Sequence, residues 1–235
     1  MAAARTGIKY HTDLIQGSDA WLAARCGLLT ASEMKLILTP TLKIAANDKC
    51  KTHLYELLAQ RITGHVEPHY IGDDMLRGRE DEVEARILYA QHYAPVDDMG
   101  FITNDRWGFT LGYSPDGLVG DDGAIECKSR RAKYQVQTIV ENIGMDGGET
   151  IPADYVMQCQ TGLLVSERKW VDLVSYSGGL PMAVMRVHPM EEIQNALIEA
   201  AGQFERQLAE RLEIYRAASS RLHPTERRIE QEMFA

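Results

Sequence analysis

The sequence predicts an α/β domain, a small mixed central β-sheet flanked by helices, on three observations. Apolar residues recur at helical spacing on both sides of residues 96–130. Within that window the apolar residues alternate at the two-residue period of strands, and Gly- and Asp-rich turns separate the alternating runs. Apolar residues make up 45% and charged residues 25% of the 235, a globular composition that excludes disordered and fibrous classes. No repeat, low-complexity tract or Pro/Ser-rich linker breaks the chain. One domain is therefore expected over 1–235: a helical region to about residue 95, a sheet core over about 96–188 and C-terminal helices from about 189.

Ser18 is an N-cap for a short helix from Asp19 to Cys26, which Gly27 ends. A second helix starts at Thr30 or Ala31 and runs to Pro40, and Asp48–Ile62 is amphipathic through Leu54, Leu57, Leu58 and Ile62. Asp73–His92 reads as a longer helix with an apolar stripe of Leu76, Val83, Ile87 and Leu88. Strands follow at Phe101–Thr103, Phe109–Tyr113, Gly117–Val119 and Ala124–Lys128, then a helix at about Ala132–Glu141 and a loop with Gly144, Gly147 and Gly148. Pro152 opens a helix to Val165. Two more strands, Trp170–Tyr176 and Ala183–Val187, precede a long helix at Met190–Ala217, and the tail from Pro224 is read as a further helix.

The four cysteines form no C-x-x-C pair, so reduced thiols in a cytoplasmic protein are expected. No apolar run reaches the ~20 residues of a membrane span, and the N-terminus lacks a signal-peptide pattern. A net charge of −9 argues at first sight against a nucleic-acid partner. Its distribution says otherwise. Residues 67–98 hold nine acidic and three basic side chains, whereas residues 1–66 hold eight basic and five acidic. Lys128, Arg130, Arg131 and Lys133 lie in a window with no carboxylate between Glu126 and Glu141.

The chemistry concentrates in Ser114–Lys128. Asp121-Asp122-Gly123 is turn chemistry between two alternating runs, so Asp116 falls opposite Glu126, with Cβ atoms ~5 Å apart in such pairs. Glu126 and Lys128 share a strand face, and Cys127 points the other way. Two carboxylates this close need a proton or a cation between them, and an oxygen-rich site suits Mg²⁺ or Mn²⁺. A surface strand on which Lys128 pairs with its acidic neighbours is the plainer explanation of the same spacing.

Pro115-Asp116…Glu126-Cys127-Lys128 matches the PD-(D/E)XK nuclease motif, and its surroundings resemble the phage lambda exonuclease and YqaJ-type viral recombinase family. The resemblance extends in order along most of the chain. It includes Trp21…Arg25-Cys26-Gly27…Thr30-Ala31-Ser32-Glu33, then Gly78…Glu82…Ala85-Arg86, then Ser114-Pro115-Asp116-Gly117, and Tyr155…Gln158-Cys159-Gln160.

The resemblance implies a restriction-endonuclease-like core and two Mg²⁺ ions, with Mn²⁺ a substitute. Their ligands would be Asp116, Glu126, Glu82 and the backbone carbonyl of Cys127. It implies that Lys128 assists the attacking water, that Gln158 contacts the reacting phosphate region, and that Arg25, Ser32 and Ser114 hold the 5′-phosphate of a DNA end. The implied activity is a 5′→3′ double-strand DNA exonuclease that leaves 3′ overhangs for recombination. The implied assembly is a homotrimeric ring with a single-strand annealing protein as partner. Met75 and Leu76 fall where the family carries a duplex-parting wedge, and core packing explains them equally well. A PD-(D/E)XK endonuclease and a non-catalytic end-binding protein are the alternatives. Glu80, Asp81 and Glu84 read as a solvated face, and Gln160 lies roughly 200° round the helix from Gln158.

Overall fold

The computed structural model describes residues 7–67, 73–144 and 149–227. In chain order the elements are β1 (Ile8–His11), α1 (Asp19–Arg25), β2 (Leu29–Thr30), a 3₁₀ helix (Ala31–Leu36), α2 (Asp48–Thr63), α3 (Asp73–His92), β3 (Phe101–Asn104), β4 (Leu111–Tyr113), β5 (Gly117–Val119) and β6 (Gly123–Ser129). Then come α4 (Ala132–Asn142), α5 (Ala153–Ser166), β7 (Trp170–Tyr176), β8 (Ala183–Val187) and α6 (Glu191–Ser219).

The architecture is the α/β one expected, with its strands divided between two four-stranded sheets, ordered β1-β3-β4-β2 and β5-β6-β7-β8. Both are mixed: β2 runs parallel to β4 and β6 parallel to β7, while the other pairs are antiparallel. The chain crosses from one sheet to the other at Ser114-Pro115-Asp116. Pro115 lacks the N–H that a ladder needs, so pairing is interrupted there.

Local signals account for most boundaries. The Ser18 hydroxyl accepts from Trp21 N, and Gly64 closes α2 in the left-handed region at φ 63°. Two short strands were not foreseen, β1 and β2, and the segment after Thr30 is a single 3₁₀ helix ending at Leu36 rather than a helix to Pro40. Its entry is a capping box, with the Glu33 carboxylate accepting from Thr30 N at 2.8 Å. Residues 224–227 are not helical, and the rest of the expected tail helix lies outside the described residues, as do Gly147 and Gly148.

Helix α5 is the central strut. It packs on β3 and β4 of one sheet, on β7 of the other, and on the 3₁₀ helix and α6. Met157, Cys159, Leu163 and Val165 are buried in it. The close approach depends on Gly162, where an added Cβ would lie 2.6 Å from the buried Tyr113 ring. Gly162→Ala is expected to cost about 1–3 kcal/mol through overpacking, outweighing the better helix propensity of alanine. Thermal melting checks this, and an unchanged or raised Tm would mean that the ring swings aside.

Helix α3 corrects one expectation. Of the apolar stripe, Leu76, Val83 and Ile87 are 49%, 57% and 46% exposed and Leu88 is half-buried, so most of it points outward instead of forming a core face. The helix instead buries Ala85 and Tyr89 against the second sheet, and the Tyr89 hydroxyl donates to Asp172 at 2.6 Å. Leu76 therefore belongs to no core, and the side chain of Met75 lies outside the described residues. Because Glu82 lies one turn before Ala85 and Arg86, this orientation turns it toward β5 and β6.

Candidate active site

The β5–β6 register pairs Gly117 with Ile125, which sets Asp116 across from Glu126, and Asp116 N donates to Ile125 O at 3.1 Å. Cys127 N in turn donates to Asp116 Oδ2 at 2.6 Å, fixing that carboxylate at the mouth of the hairpin. The Cys127 side chain faces a separate apolar cluster with Ile125 and Val174, as strand alternation requires.

Glu126 is 2% exposed and is the best-buried carboxylate of the group. Lys128 Nζ donates to its Oε1 at 2.7 Å and Gln158 Nε2 donates to the same oxygen at 2.5 Å. Its Oε2 is buried and has no hydrogen-bond partner. The Tyr113 hydroxyl is buried beside Glu126; burial and then the Glu126 charge push that phenol well above its ordinary value.

Glu82 reaches the same centre from α3, close enough for its charge to act on Asp116 and for the Glu126 charge to act on it. Burial, then Glu126 and Glu82, hold the Asp116 carboxyl well above the usual carboxylate range, against the opposing pull of Lys128. Burial likewise raises Glu82, with Glu126 adding to it and Arg86 opposing. Arg86 itself pairs with Asp98. Burial opposes the charge on Lys128, yet Glu126 and Asp116 outweigh it and raise the ammonium above its ordinary value. In the metal-free site the ammonium of Lys128 is thus held by Glu126 and Asp116, where it can offset negative charge next to the carboxylates.

A cleft of about 360 Å³ opens beside Glu82 and Asp116, lined also by Gln16, Arg86, Asp98 and Gly100. Among the described residues no trio of Asp, Glu, His or Cys side chains is already drawn around one ion position. The donor set nevertheless fits a hard divalent cation. Three carboxylates face one another with one neighbouring ammonium, and Glu126 presents a buried oxygen that no protein group satisfies.

The second expected group lies next door. Arg25 Nη1 donates to Ser114 Oγ at 3.1 Å and Nη2 to Thr30 Oγ1 at 3.1 Å. Thr30 Oγ1 lies 3.5 Å from Ser32 Oγ, and the exposed Ser32 completes the group. Two residues outside the sequence-based set shape it. Trp21 stacks on the guanidinium at 4.3 Å and donates from its ring N–H to Ser114 Oγ at 3.0 Å, while Thr30 bridges Arg25 to the capping Glu33. The i, i+4 spacing of Trp21 and Arg25 on α1 was the available signal.

Two further readings are resolved by position. Gln160 is fully buried, donating to His188 O and accepting from Met190 N, so only Gln158 faces the carboxylates. Asp81 is not on a solvated face: it accepts a 2.5 Å hydrogen bond from Ser129 Oγ at the end of β6.

Residues 20–169 match the YqaJ-like viral recombinase domain. The chain belongs to the YqaJ-like viral recombinase family. This is a family of nucleases, and the matched span holds Arg25, Ser32, Glu82, Ser114, Asp116, Glu126, Lys128 and Gln158. Among solved structures, this YqaJ-like chain is similar to an alkaline exonuclease, LHK-Exo, from Laribacter hongkongensis. The two are 28% identical with a TM-score of 0.74, over 88% of this chain and all of that one. The same enzyme in complex with dAMP gives 29% identity and a TM-score of 0.73 over the same shares. A phage-related exonuclease from Haemophilus somnus, 12% identical with a TM-score of 0.52 over 79% of this chain and 96% of that one, shares the fold. No curated protein matches the sequence. Among the described residues no helix is long and apolar enough to cross a membrane.

Proposed function

We propose that this protein is a divalent-metal-dependent 5′→3′ exonuclease that degrades one strand from double-stranded DNA ends. The observation that carries this reading is the contact between Arg25 and Ser114, two residues before Asp116. A guanidinium with hydroxyl donors suits a terminal phosphate dianion, a group that exists only at a strand end. Burial lowers the Arg25 pKa, with Glu33 opposing, so an incoming dianion meets a poorly solvated cation. The similarity to an exonuclease crystallised with dAMP supports a nucleotide-phosphate subsite in the same fold.

Asp116, Glu126, Glu82 and the carbonyl of Cys127 would hold Mg²⁺, two ions in the family pattern, with Mn²⁺ a substitute. Metal bound there would supply an activated water and offset charge on the scissile phosphate. Gln158 and Lys128 orient the Glu126 carboxylate through Oε1 and leave Oε2 for the cation. Lys128 faces the reacting phosphate as a charge-stabilising ammonium. Arg25, Ser114 and Ser32 fix the strand end and thereby the register of each cut. In this reading residues 1–235 act as a single nuclease domain, in the bacterial host cytoplasm if the chain is phage- or prophage-encoded. Family membership supports a homotrimeric ring and a single-strand annealing protein that takes up the 3′ overhang.

Digestion of three substrates with Mg²⁺ tests the reading: linear duplex with 5′-phosphate, the same duplex with 5′-hydroxyl, and closed circular plasmid. The phosphorylated duplex should be degraded fastest and the circle left intact. Arg25→Gln should erase the preference for the 5′-phosphate. Nicking of the circle would instead favour an endonuclease, and no cleavage of any substrate would favour an end-binding protein.

A further inference from the structure

Outward from Lys128, cations and aromatic rings alternate. Lys128 Nζ lies 5.6 Å from the Tyr155 ring centre, the Arg130 guanidinium lies 5.2 Å from Tyr155 and 5.4 Å from Tyr134, and Lys133 Nζ lies 4.6 Å from Tyr134. The inner part of this ladder is anchored. Arg130 donates to the Tyr155 hydroxyl at 2.6 Å and to Thr138 at 3.4 Å, while its Nε is buried without a partner. The outer part is open, with Lys133 exposed and Tyr134 44% exposed on the first turn of α4.

The outer rungs run against local helix preference. The positive end of a helix dipole favours acidic residues in the first turn, yet α4 has none there. Arg131 occupies the N-cap without a side-chain cap bond, and Lys133 follows it. In a chain of net charge −9, the fourteen residues Cys127–Val140 carry no carboxylate at all. A segment that departs from its own local rules beside a reactive centre is where a functional surface is expected.

We propose that Arg130, Lys133 and Tyr134 form a track for an unpaired DNA strand adjoining the catalytic centre, with phosphates on the two cations and a base stacked on the Tyr134 ring. Duplex bases are already stacked on one another and present only edges in the grooves. An exposed tyrosine flanked by cations therefore fits a single strand better. An acidic peptide would use the cations and leave the ring idle. The DNA identity of the ligand rests on the nuclease reading above.

Fluorescence anisotropy with a labelled oligo-dT of about 15 nucleotides, on the full chain in EDTA, tests this without cleavage. Tyr134→Ala should weaken single-strand binding by roughly tenfold, whereas Tyr134→Phe should bind as the unsubstituted protein does. Lys133→Gln should lower the slope of log K against log salt by about 0.7. Affinity for a blunt 5′-phosphorylated duplex should change less than about twofold in Tyr134→Ala. The proposal is overturned if Tyr134→Ala binds oligo-dT normally, if duplex binding falls equally, or if only Lys133→Gln matters, the pattern of a purely ionic ligand. A protein that cleaves nothing but shows the ring-dependent binding would refute the nuclease reading and leave the track standing.

Discussion

Lys128→Ala is expected to slow DNA cleavage by about 10²–10³-fold, the usual cost of removing one preorganised charge from a reacting centre. End binding should stay close to that of the unsubstituted protein. Lys128 is held between Glu126 at 2.7 Å and the Tyr155 ring, and both carboxylates of the hairpin raise its proton affinity. Its ammonium is therefore placed beside the carboxylates where negative charge would develop, and the expected loss is of that charge stabilisation. Arg25 and Ser114 are bonded to each other and not to Lys128, so the strand end should still be gripped. Single-turnover hydrolysis of a 5′-phosphorylated duplex, paired with an end-binding titration, separates the two effects. Cleavage within tenfold of the unsubstituted protein would refute the role.

Asp116→Asn is expected to abolish activity while stabilising the metal-free protein. Burial, Glu126 and Glu82 all raise the Asp116 carboxyl, so in the folded state its ionised form is disfavoured. A group raised on folding contributes stability that is fully present below its ordinary pKa and is lost as pH rises through the folded value. In EDTA near neutral pH and above, removing that charge should therefore add about 1–2 kcal/mol, or roughly 2–8 °C in Tm. The asparagine oxygen still accepts from Cys127 N, so the hairpin mouth keeps its bond. The gain should shrink as pH falls toward the ordinary carboxylate range. Saturating Mg²⁺ should reverse the ranking by stabilising only the unsubstituted protein. Equal melting of the two proteins in EDTA would mean that the carboxylates do not oppose one another.

Much of this centre was legible because it is local. Asp121-Asp122-Gly123 announced the turn, and the two-residue strand period then placed Asp116, Glu126 and Lys128 together and sent Cys127 away. The 100° step of a helix likewise separated Gln158 from Gln160. What stayed hidden depends on distant pairing. β1 pairs with β3 and the two-residue β2 with β4, contacts no local pattern can specify. On α3 the apolar stripe pointed to the wrong face, because Ala85 and Tyr89, one small and one bonded to Asp172, are the residues that meet the sheet. Tyr113 was missed for the same reason: its place beside Glu126 is made by Gly162, 49 residues further along the chain on α5.

The order in which labels leave a duplex reports most directly on a terminal-phosphate pocket set beside a carboxylate centre. A linear duplex carrying distinct labels at the 5′ and 3′ ends of one strand is digested with Mg²⁺. The 5′ label should appear first, as a mononucleotide, with the 3′ label retained in long fragments until late. Early release of the 3′ label, or labelled fragments cut internally, would rule out a 5′→3′ exonuclease.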